Sequence, residues 1–159
     1  MKSYYYACHM QTSVKTQLKR INSITTQIEA LYHSAALKLD ISDSAMIILY
    51  FMYEGNGEAL LSDIYKSSGI CKQTINSSIR NLEKNEIIYL EHIDGRSKKV
   101  KLTEKGKSYC EQTAGQLSKV EGDVLSSWSD EEVDEFVSLL EKYKEGLAFK
   151  VETLSCGDL

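Results

Sequence analysis

The fold of this chain is decided by residues 60–107, which read LLSDIYKSSGICKQTINSSIRNLEKNEIIYLEHIDGRSKKVKLTEKGK. The stretch begins with apolar residues that predict the inward face of a short helix ending near residue 67: Leu60, Leu61 and Ile64. Ser68-Gly69 then predicts a turn. A second helix is predicted over residues 71–85, with three apolar residues on one face: Ile75, Ile79 and Leu82. Two short helices joined by a glycine-bearing turn are typical of a helix-turn-helix.

The residues that follow predict a β-hairpin and then a long helix. Two β-prone runs, residues 87–93 and 98–102, flank an Asp-Gly turn. Apolar residues alternate with lysines in the second run, which predicts one buried and one solvated face. Thr103 is suited to cap the N-terminus of a helix over about residues 104–125. The hairpin would therefore form a wing beside the helix-turn-helix.

Helical spacing also marks the segments on either side of this stretch. Residues 12–38 carry apolar or small residues in alternating steps of four and three: Val14, Leu18, Ile21, Thr25, Ile28, Tyr32 and Ala35. A single stripe of this length must be buried against another surface. Ser42 has the side chain of an N-cap for an almost wholly apolar helix over residues 45–53, and residues 129–132 have the pattern of a capping box before a terminal helix. The predicted fold class is mainly α with a small β-hairpin, a winged helix-turn-helix flanked by long helices.

The second helix of the motif has a polar and basic face opposite its apolar one, as a DNA-recognition helix requires. Its candidate DNA-binding residues are Lys72, Gln73, Thr74, Asn76, Ser77 and Arg80. The amides of Gln73 and Asn76 are suited to bidentate reading of adenine, and Arg80 to guanine or a phosphate. The alternative for this face is a solvated helix surface.

The predicted hairpin adds four candidate DNA-binding residues: Asp94, Arg96, Lys98 and Lys99. Arg96 is suited to enter a narrow minor groove, with Asp94 orienting it by a charge-assisted hydrogen bond. Lys98 and Lys99 would lie over the DNA backbone. For these lysines the alternative is an edge strand that is protected by its charge, and the two interpretations are compatible.

Charge is unevenly distributed along the chain, whose net charge is −4. Residues 66–107 hold ten basic and five acidic residues, so this segment carries +5 and the remainder −9. An acidic body repels DNA except where the basic segment faces it, which would orient docking. The overall negative charge therefore does not exclude a nucleic-acid partner.

At these residues the sequence resembles the multiple-antibiotic-resistance regulator (MarR) family. The resemblance is carried by Leu61-Ser62-Asp63-Ile64, Gly69-Ile70, Lys72-Gln73-Thr74-Ile75, Leu82-Glu83-Lys84, Asp94-Gly95-Arg96-Ser97-Lys98 and Leu102-Thr103-Glu104-Lys105-Gly106. It implies a homodimer that binds a pseudo-palindromic operator in double-stranded DNA, usually as a repressor, and is often released by a small aromatic ligand or by cysteine oxidation. It implies an N-terminal dimerisation helix in residues 1–40, the winged helix-turn-helix in 41–106 and C-terminal dimerisation helices in 107–159.

Six residues depart from the family's pattern: Tyr65, Ser68, Cys71, Ser78, Glu86 and Leu90. Tyr65 stands where a small residue is usual and Glu86 where glycine is common. Cys71, at a helix N-terminus beside a lysine, is a candidate redox-sensitive thiol, although a small residue is also tolerated at a capping position.

Three further residues are candidates for lining an effector pocket: Tyr32, His33 and Met52. The alternative is that they are ordinary core residues, because aromatic residues and methionine at helical spacing are often just that.

Several classes of function are not expected. The four cysteines and three histidines lack the spacing of a metal site, so neither a metal nor a cofactor is predicted. No nucleophile, phosphate-binding or paired-carboxylate motif is present, which argues against an enzyme. No apolar run is long enough to span a bilayer and residues 1–10 lack a signal-peptide pattern, so the expected location is cytoplasmic, with no membrane partner. The competing function is a winged-helix protein–protein interaction module that does not bind DNA.

Overall fold

The architecture is mainly helical, with one small antiparallel sheet. A computed structural model of the chain describes residues 2–93, 95 and 97–154, and it describes side chains from residue 13 onward. The elements are α1 (Lys2–Lys38), α2 (Asp43–Glu54), β1 (Glu58–Leu60), α3 (Leu61–Ser67), α4 (Lys72–Lys84), β2 (Ile88–His92), β3 (Lys98–Leu102), α5 (Glu104–Cys110), a π-helical turn (Glu111–Gly115), α6 (Gln116–Leu125) and α7 (Asp130–Glu152). This order confirms the predicted fold class of a winged helix-turn-helix between long helices. In the described ranges, no helix is both long and apolar enough to cross a lipid bilayer.

The chain divides into two compact units, residues 1–117 and 118–159. The first contains the winged helix-turn-helix together with α1. Helix α1 begins at Lys2 rather than near residue 12, because neither proline nor glycine interrupts the preceding residues. The predicted boundaries at residues 40/41 and 106/107 stay predictions.

The core of the first unit is built around α2. The fully buried side chains Ile48, Leu49 and Met52 of α2 lie in one apolar cluster with Ile64 of α3 and Val100 of β3. The same cluster takes in the predicted inward face of α4: Ile75, Ile79 and Leu82. Burial of this stripe, more than any intrinsic helix propensity, decides which face of α4 is left for solvent.

The sheet has three strands in the order β1-β3-β2, all antiparallel. The hairpin of β2 and β3 confirms the predicted wing, with both Val100 and Leu102 buried. Strand β1 was not predicted, since three residues are too few to show an alternating pattern. One expectation about it is wrong: Leu60 pairs with Lys99 on the sheet edge and is 36% exposed, instead of lying on the inward face of α3.

Turns and caps confirm several local predictions. The side chain of Ser42 accepts a hydrogen bond from the Ala45 backbone N–H at 3.3 Å. Gly69 has a φ of +67°, the left-handed conformation that the turn between α3 and α4 requires. The capping box of α7 is formed by Ser129 and Glu132.

Two of the departures from the MarR pattern form local hydrogen bonds, and a third has a left-handed backbone. Ser78 of α4 shares a hydrogen bond of 2.7 Å with Ser44 of α2. The Ser68 hydroxyl accepts from the Ile70 backbone N–H at 3.3 Å. Glu86 has a φ of +58°, a conformation that costs a side-chain-bearing residue about 1 kcal/mol or more, which is the physical reason that glycine suits this position.

Candidate nucleic-acid interface

Helix α4 presents the predicted polar face to solvent. All six candidate residues on it are exposed, namely Lys72, Gln73, Thr74, Asn76, Ser77 and Arg80. The opposite side of the helix is locked into the core by the three buried residues described above. The structure therefore brings the six candidate residues together on one exposed surface. The alternative, a helix face that only contacts solvent, would show the same exposure.

The first turn of α4 contains the candidate redox thiol. Cys71 occupies the N-cap position and is exposed. Its Sγ lies 3.1 Å from the Thr74 hydroxyl, and this hydrogen bond, together with the nearby backbone N–H groups of Thr74 and Gln73, lowers the pKa of the Cys71 thiol below its usual value. The prediction named the helix N-terminus and the neighbouring Lys72 as causes of such a shift. The structure gives Thr74 and the first turn of α4 as the causes, and not Lys72. Cys110, whose side chain the structure also describes, is buried, and burial raises its pKa to about 11.

Tyr65 of α3 contacts two candidate residues of α4, which sequence reasoning missed. Its hydroxyl donates a hydrogen bond of 2.6 Å to Oδ1 of Asn76. The ammonium group of Lys72 lies 5.6 Å from the centre of the same ring, within cation–π range. The sequence signal was the departure of Tyr65 from the MarR pattern, but its partners could not be deduced without the crossing of α3 and α4.

A cleft of about 460 Å³ separates α4 from the wing. Its lining includes Tyr65, Asn76 and Arg80 on one side and Leu90 and Lys98 on the other. Among the described residues, no carboxylate forms an ion pair with Arg80 or Lys98. Two cationic side chains are thus available on the two sides of this cleft.

The next two cationic side chains along β3, those of Lys99 and Lys101, are held by carboxylates. Glu58 of β1 forms ion pairs with both lysines, and Glu91 of β2 lies 2.9 Å from the Lys101 Nζ. The hydrogen bond from Lys99 lowers the pKa of Glu58, and the hydrogen bond to Glu91 raises the pKa of Lys101. The expected solvated face of β3 is therefore half-buried and neutralised, and a phosphate contact by Lys99 would have to compete with Glu58.

The remaining candidate residues are two from the predicted hairpin and three from the predicted effector pocket. Asp94 and Arg96 lie outside the described residues. The Met52 side chain is fully buried in the core, His33 forms a 2.9 Å contact with Asp43, and Tyr32 is 44% exposed on α1. Met52 is therefore an ordinary core residue, which was the alternative to its role in an effector pocket. The effector pocket itself stays a prediction. Across the described part of the chain, no group of three or more His, Cys, Asp or Glu side chains is placed to hold a metal ion.

This arrangement of helices and wing matches solved structures of transcription regulators. A MarR family regulator from Neisseria meningitidis superposes with a TM-score of 0.75 over 86% of this chain and 96% of its own, at 18% identity. The chain has the MarR fold. A Listeria monocytogenes protein assigned to that family and solved with a 26mer DNA gives a TM-score of 0.66 over 84% of this chain and 89% of its own, at 21% identity. MepR of S. aureus, also solved with DNA, superposes with a TM-score of 0.61 over 80% of this chain and 94% of its own, at 23% identity.

The match to the MarR fold is one of structure. No protein-family model matches the sequence, and no curated protein matches it. Within the MarR fold, α3 and α4 form the helix-turn-helix, and β2 and β3 form the wing. At these low identities, the shared fold does not assign a role to any individual side chain.

Proposed function

We propose that this chain is a sequence-specific regulator of transcription of the MarR family that binds double-stranded DNA and is not an enzyme. The observation that carries the proposal is the exposed polar face of α4 beside a cleft with Arg80 on one side and Lys98 on the other. Within the described part of the chain, neither cation pairs with a carboxylate. A helix that is anchored on one side and polar on the other suits a major groove about 12 Å wide. Two neighbours with the MarR fold, MepR and the Listeria protein, were solved with DNA, which supports this use of the surface.

The proposed DNA contacts divide between the helix and the wing. Lys72, Gln73, Thr74, Asn76, Ser77 and Arg80 would meet base edges and nearby phosphates. Lys98 and Lys99, with Arg96 oriented by Asp94, would hold the backbone and the adjacent minor groove. Because Lys99 is paired with Glu58, we expect Lys98 to contribute more to phosphate binding than Lys99 does.

A homodimer would give the protein a two-fold symmetric binding site. Helix α1 exposes large apolar side chains along its length, including Leu18 (45%), Ile21 (44%) and Ile28 (45%). Helix α7 does the same with Phe136 and Leu140, among others. Faces of this kind are covered by another chain more often than by water. A second copy would bury them and place two α4 helices about one DNA turn, ~34 Å, apart on a pseudo-palindromic operator.

Release of the operator by a small aromatic ligand or by oxidation is the regulatory part of the proposal. One protein with the MarR fold has its DNA binding regulated by 6-hydroxynicotinic acid, and another was solved with 2,4-dichlorophenol bound. Tyr32 and His33 on α1, with Met52 beneath the surface, are the candidate ligand contacts, and Cys71 is the candidate redox residue. Ligand binding or oxidation would release a protein that acts in the cytoplasm as a repressor while it is bound to its operator.

The test is selection of bound duplexes from a random pool, followed by affinity measurements across a range of salt. We expect a symmetric site and a steep fall in affinity with salt, because each phosphate contact adds about 0.9 to the log–log slope. Arg80→Ala and Arg96→Ala should each weaken binding severalfold, whereas Arg20→Ala, an exposed charge on α1, should not. Equal affinities for all three variants and the parent protein would refute the assigned contacts.

The competing function is protein binding without DNA. The acidic remainder of the chain, at −9, is compatible with such a module. A protein that shows no salt-dependent affinity for any duplex, yet remains folded and dimeric, would favour this alternative.

A further inference from the structure

We propose that Tyr65 is a specificity-determining residue that orients the amide of Asn76, so that Asn76 offers hydrogen-bond donors to the DNA and selects guanine or thymine over adenine. The proposal rests on the proposed DNA-binding function and refines it at one side chain. It reverses the expectation from sequence alone, in which Asn76 reads adenine in bidentate fashion.

The Tyr65 hydroxyl and the Asn76 carbonyl oxygen form a hydrogen bond of 2.6 Å between α3 and α4. A phenol is a good donor and a weak acceptor, because its oxygen lone pair is delocalised into the ring. The carbonyl end of the amide therefore turns toward Tyr65, and the amide nitrogen with its two N–H donors turns away from it. The orientation of the Asn76 amide is thus set by a residue on the neighbouring helix.

This orientation of the amide changes which base edge Asn76 can read. The bidentate contact with adenine needs the amide oxygen to accept from N6 while the nitrogen donates to N7. Because Oδ1 is turned toward the Tyr65 hydroxyl on α3 and only one of its two lone pairs stays free, that paired contact is disfavoured. Guanine presents two acceptors in the major groove, O6 and N7, for the two amide donors, and thymine presents O4 for one of them. Adenine instead presents its N6 donor beside N7.

Tyr65 also organises the residue one helical turn before Asn76. Lys72 and Asn76 are four residues apart and lie on the same side of α4. The Lys72 ammonium is 5.6 Å from the centre of the Tyr65 ring, so one side chain of α3 contacts both. Restricting two exposed side chains before DNA arrives lowers the entropy lost on binding.

The deciding experiment is duplex selection with the full-length parent protein, Tyr65→Phe, Asn76→Ala and the double variant. Tyr65→Phe keeps the ring and its contact with Lys72 and removes only the hydroxyl. Asn76→Ala identifies the base position that this amide reads, since preference should vanish there. At that position we expect the parent to select guanine or thymine, and Tyr65→Phe to shift the ratio toward adenine by about tenfold, in the range of one bidentate base contact.

The double variant separates positioning from a structural role. If Tyr65 acts through Asn76, the double variant selects the same bases as Asn76→Ala alone. Tyr89→Phe, which removes an exposed hydroxyl from β2, is the matched control and should select like the parent protein. Thermal unfolding of each variant confirms that it is folded.

The outcomes distinguish this inference from the function on which it rests. A parent protein that binds no duplex overturns the proposed function. A parent that selects a defined site, with Tyr65→Phe selecting the same base at the Asn76 position, overturns the role of Tyr65 and leaves DNA binding intact. Parental selection by Asn76→Ala overturns it as well, because the amide then reads no base.

Discussion

Replacing Gly106 with alanine is expected to displace the start of the wing. Gly106 lies in the first turn of α5, and a Cβ atom there would be 1.8 Å from the carbonyl oxygen of Ile87, the residue just before β2. The separation must open to 3.0 Å or more, and the obstacle is backbone rather than a flexible side chain. Either α5 or the base of the hairpin has to move.

The loss of stability in Gly106→Ala depends on the hydrogen bonds that the displacement would break. The Thr103 backbone N–H donates to Ile87 O at 3.0 Å, its hydroxyl donates to Glu86 O at 2.6 Å, and the same hydroxyl caps the helix by accepting from the Gly106 N–H at 2.9 Å. Each is worth about 1 kcal/mol. Alanine returns about 1 kcal/mol through its better helix propensity, so the net loss in the free energy of unfolding should be about 2 kcal/mol.

Urea denaturation followed by circular dichroism measures this loss. The control is Gly122→Ala in α6, where a Cβ meets nothing within 4 Å and the gain should be about 0.5–1 kcal/mol. If Gly106→Ala were as stable as Gly122→Ala, the close approach of α5 to Ile87 would not exist in solution. The same variant should also bind its operator less tightly, because the wing starts at the displaced residue.

Three other predictions test the remaining parts of the structure. Glu86→Gly should raise the free energy of unfolding by up to about 1 kcal/mol in urea denaturation, because glycine relieves the left-handed backbone, and lower stability would contradict this. Glu58→Gln should steepen the salt dependence of duplex binding by about one phosphate contact as Lys99 is released, and an unchanged slope would mean that Lys99 does not reach the DNA. The lowered pKa of Cys71 should keep its thiolate populated to a lower pH than in the unfolded protein, as measured by iodoacetamide labelling read by peptide mass spectrometry. Buried Cys110 should stay unlabelled until the protein unfolds. A Cys71 midpoint that is the same in the Thr74→Ala variant would refute the role of Thr74.

Much of the first unit could be predicted from periodicity and capping residues. The face of α4 that contains Ile75 and Ile79, the N-cap at Ser42 and the hairpin that ends in Val100 and Leu102 are all found where their patterns indicate. These features are local, because the direction of a side chain on a helix or strand follows from its position in the repeat.

The failures concern contacts between elements. Leu60 has the apolar character of a core residue, but it is placed on a short edge strand that exists only because β3 is beside it. Lys99 has the character of a phosphate ligand, yet its position beside Glu58 depends on pairing across 41 residues of sequence. The spacing of residues along one helix or strand does not indicate which residue of another element will contact them.

By itself, the sequence determines which elements form and which side of each is apolar, since these follow from the spacing of side chains along a regular backbone. Only the tertiary structure decides that Tyr65 meets Asn76, that Glu58 neutralises two wing lysines, and that α5 passes too close to Ile87 for any residue larger than glycine at position 106. The physical reason is that hydrogen bonds and ion pairs act over a few ångströms, so they depend on how separate elements pack.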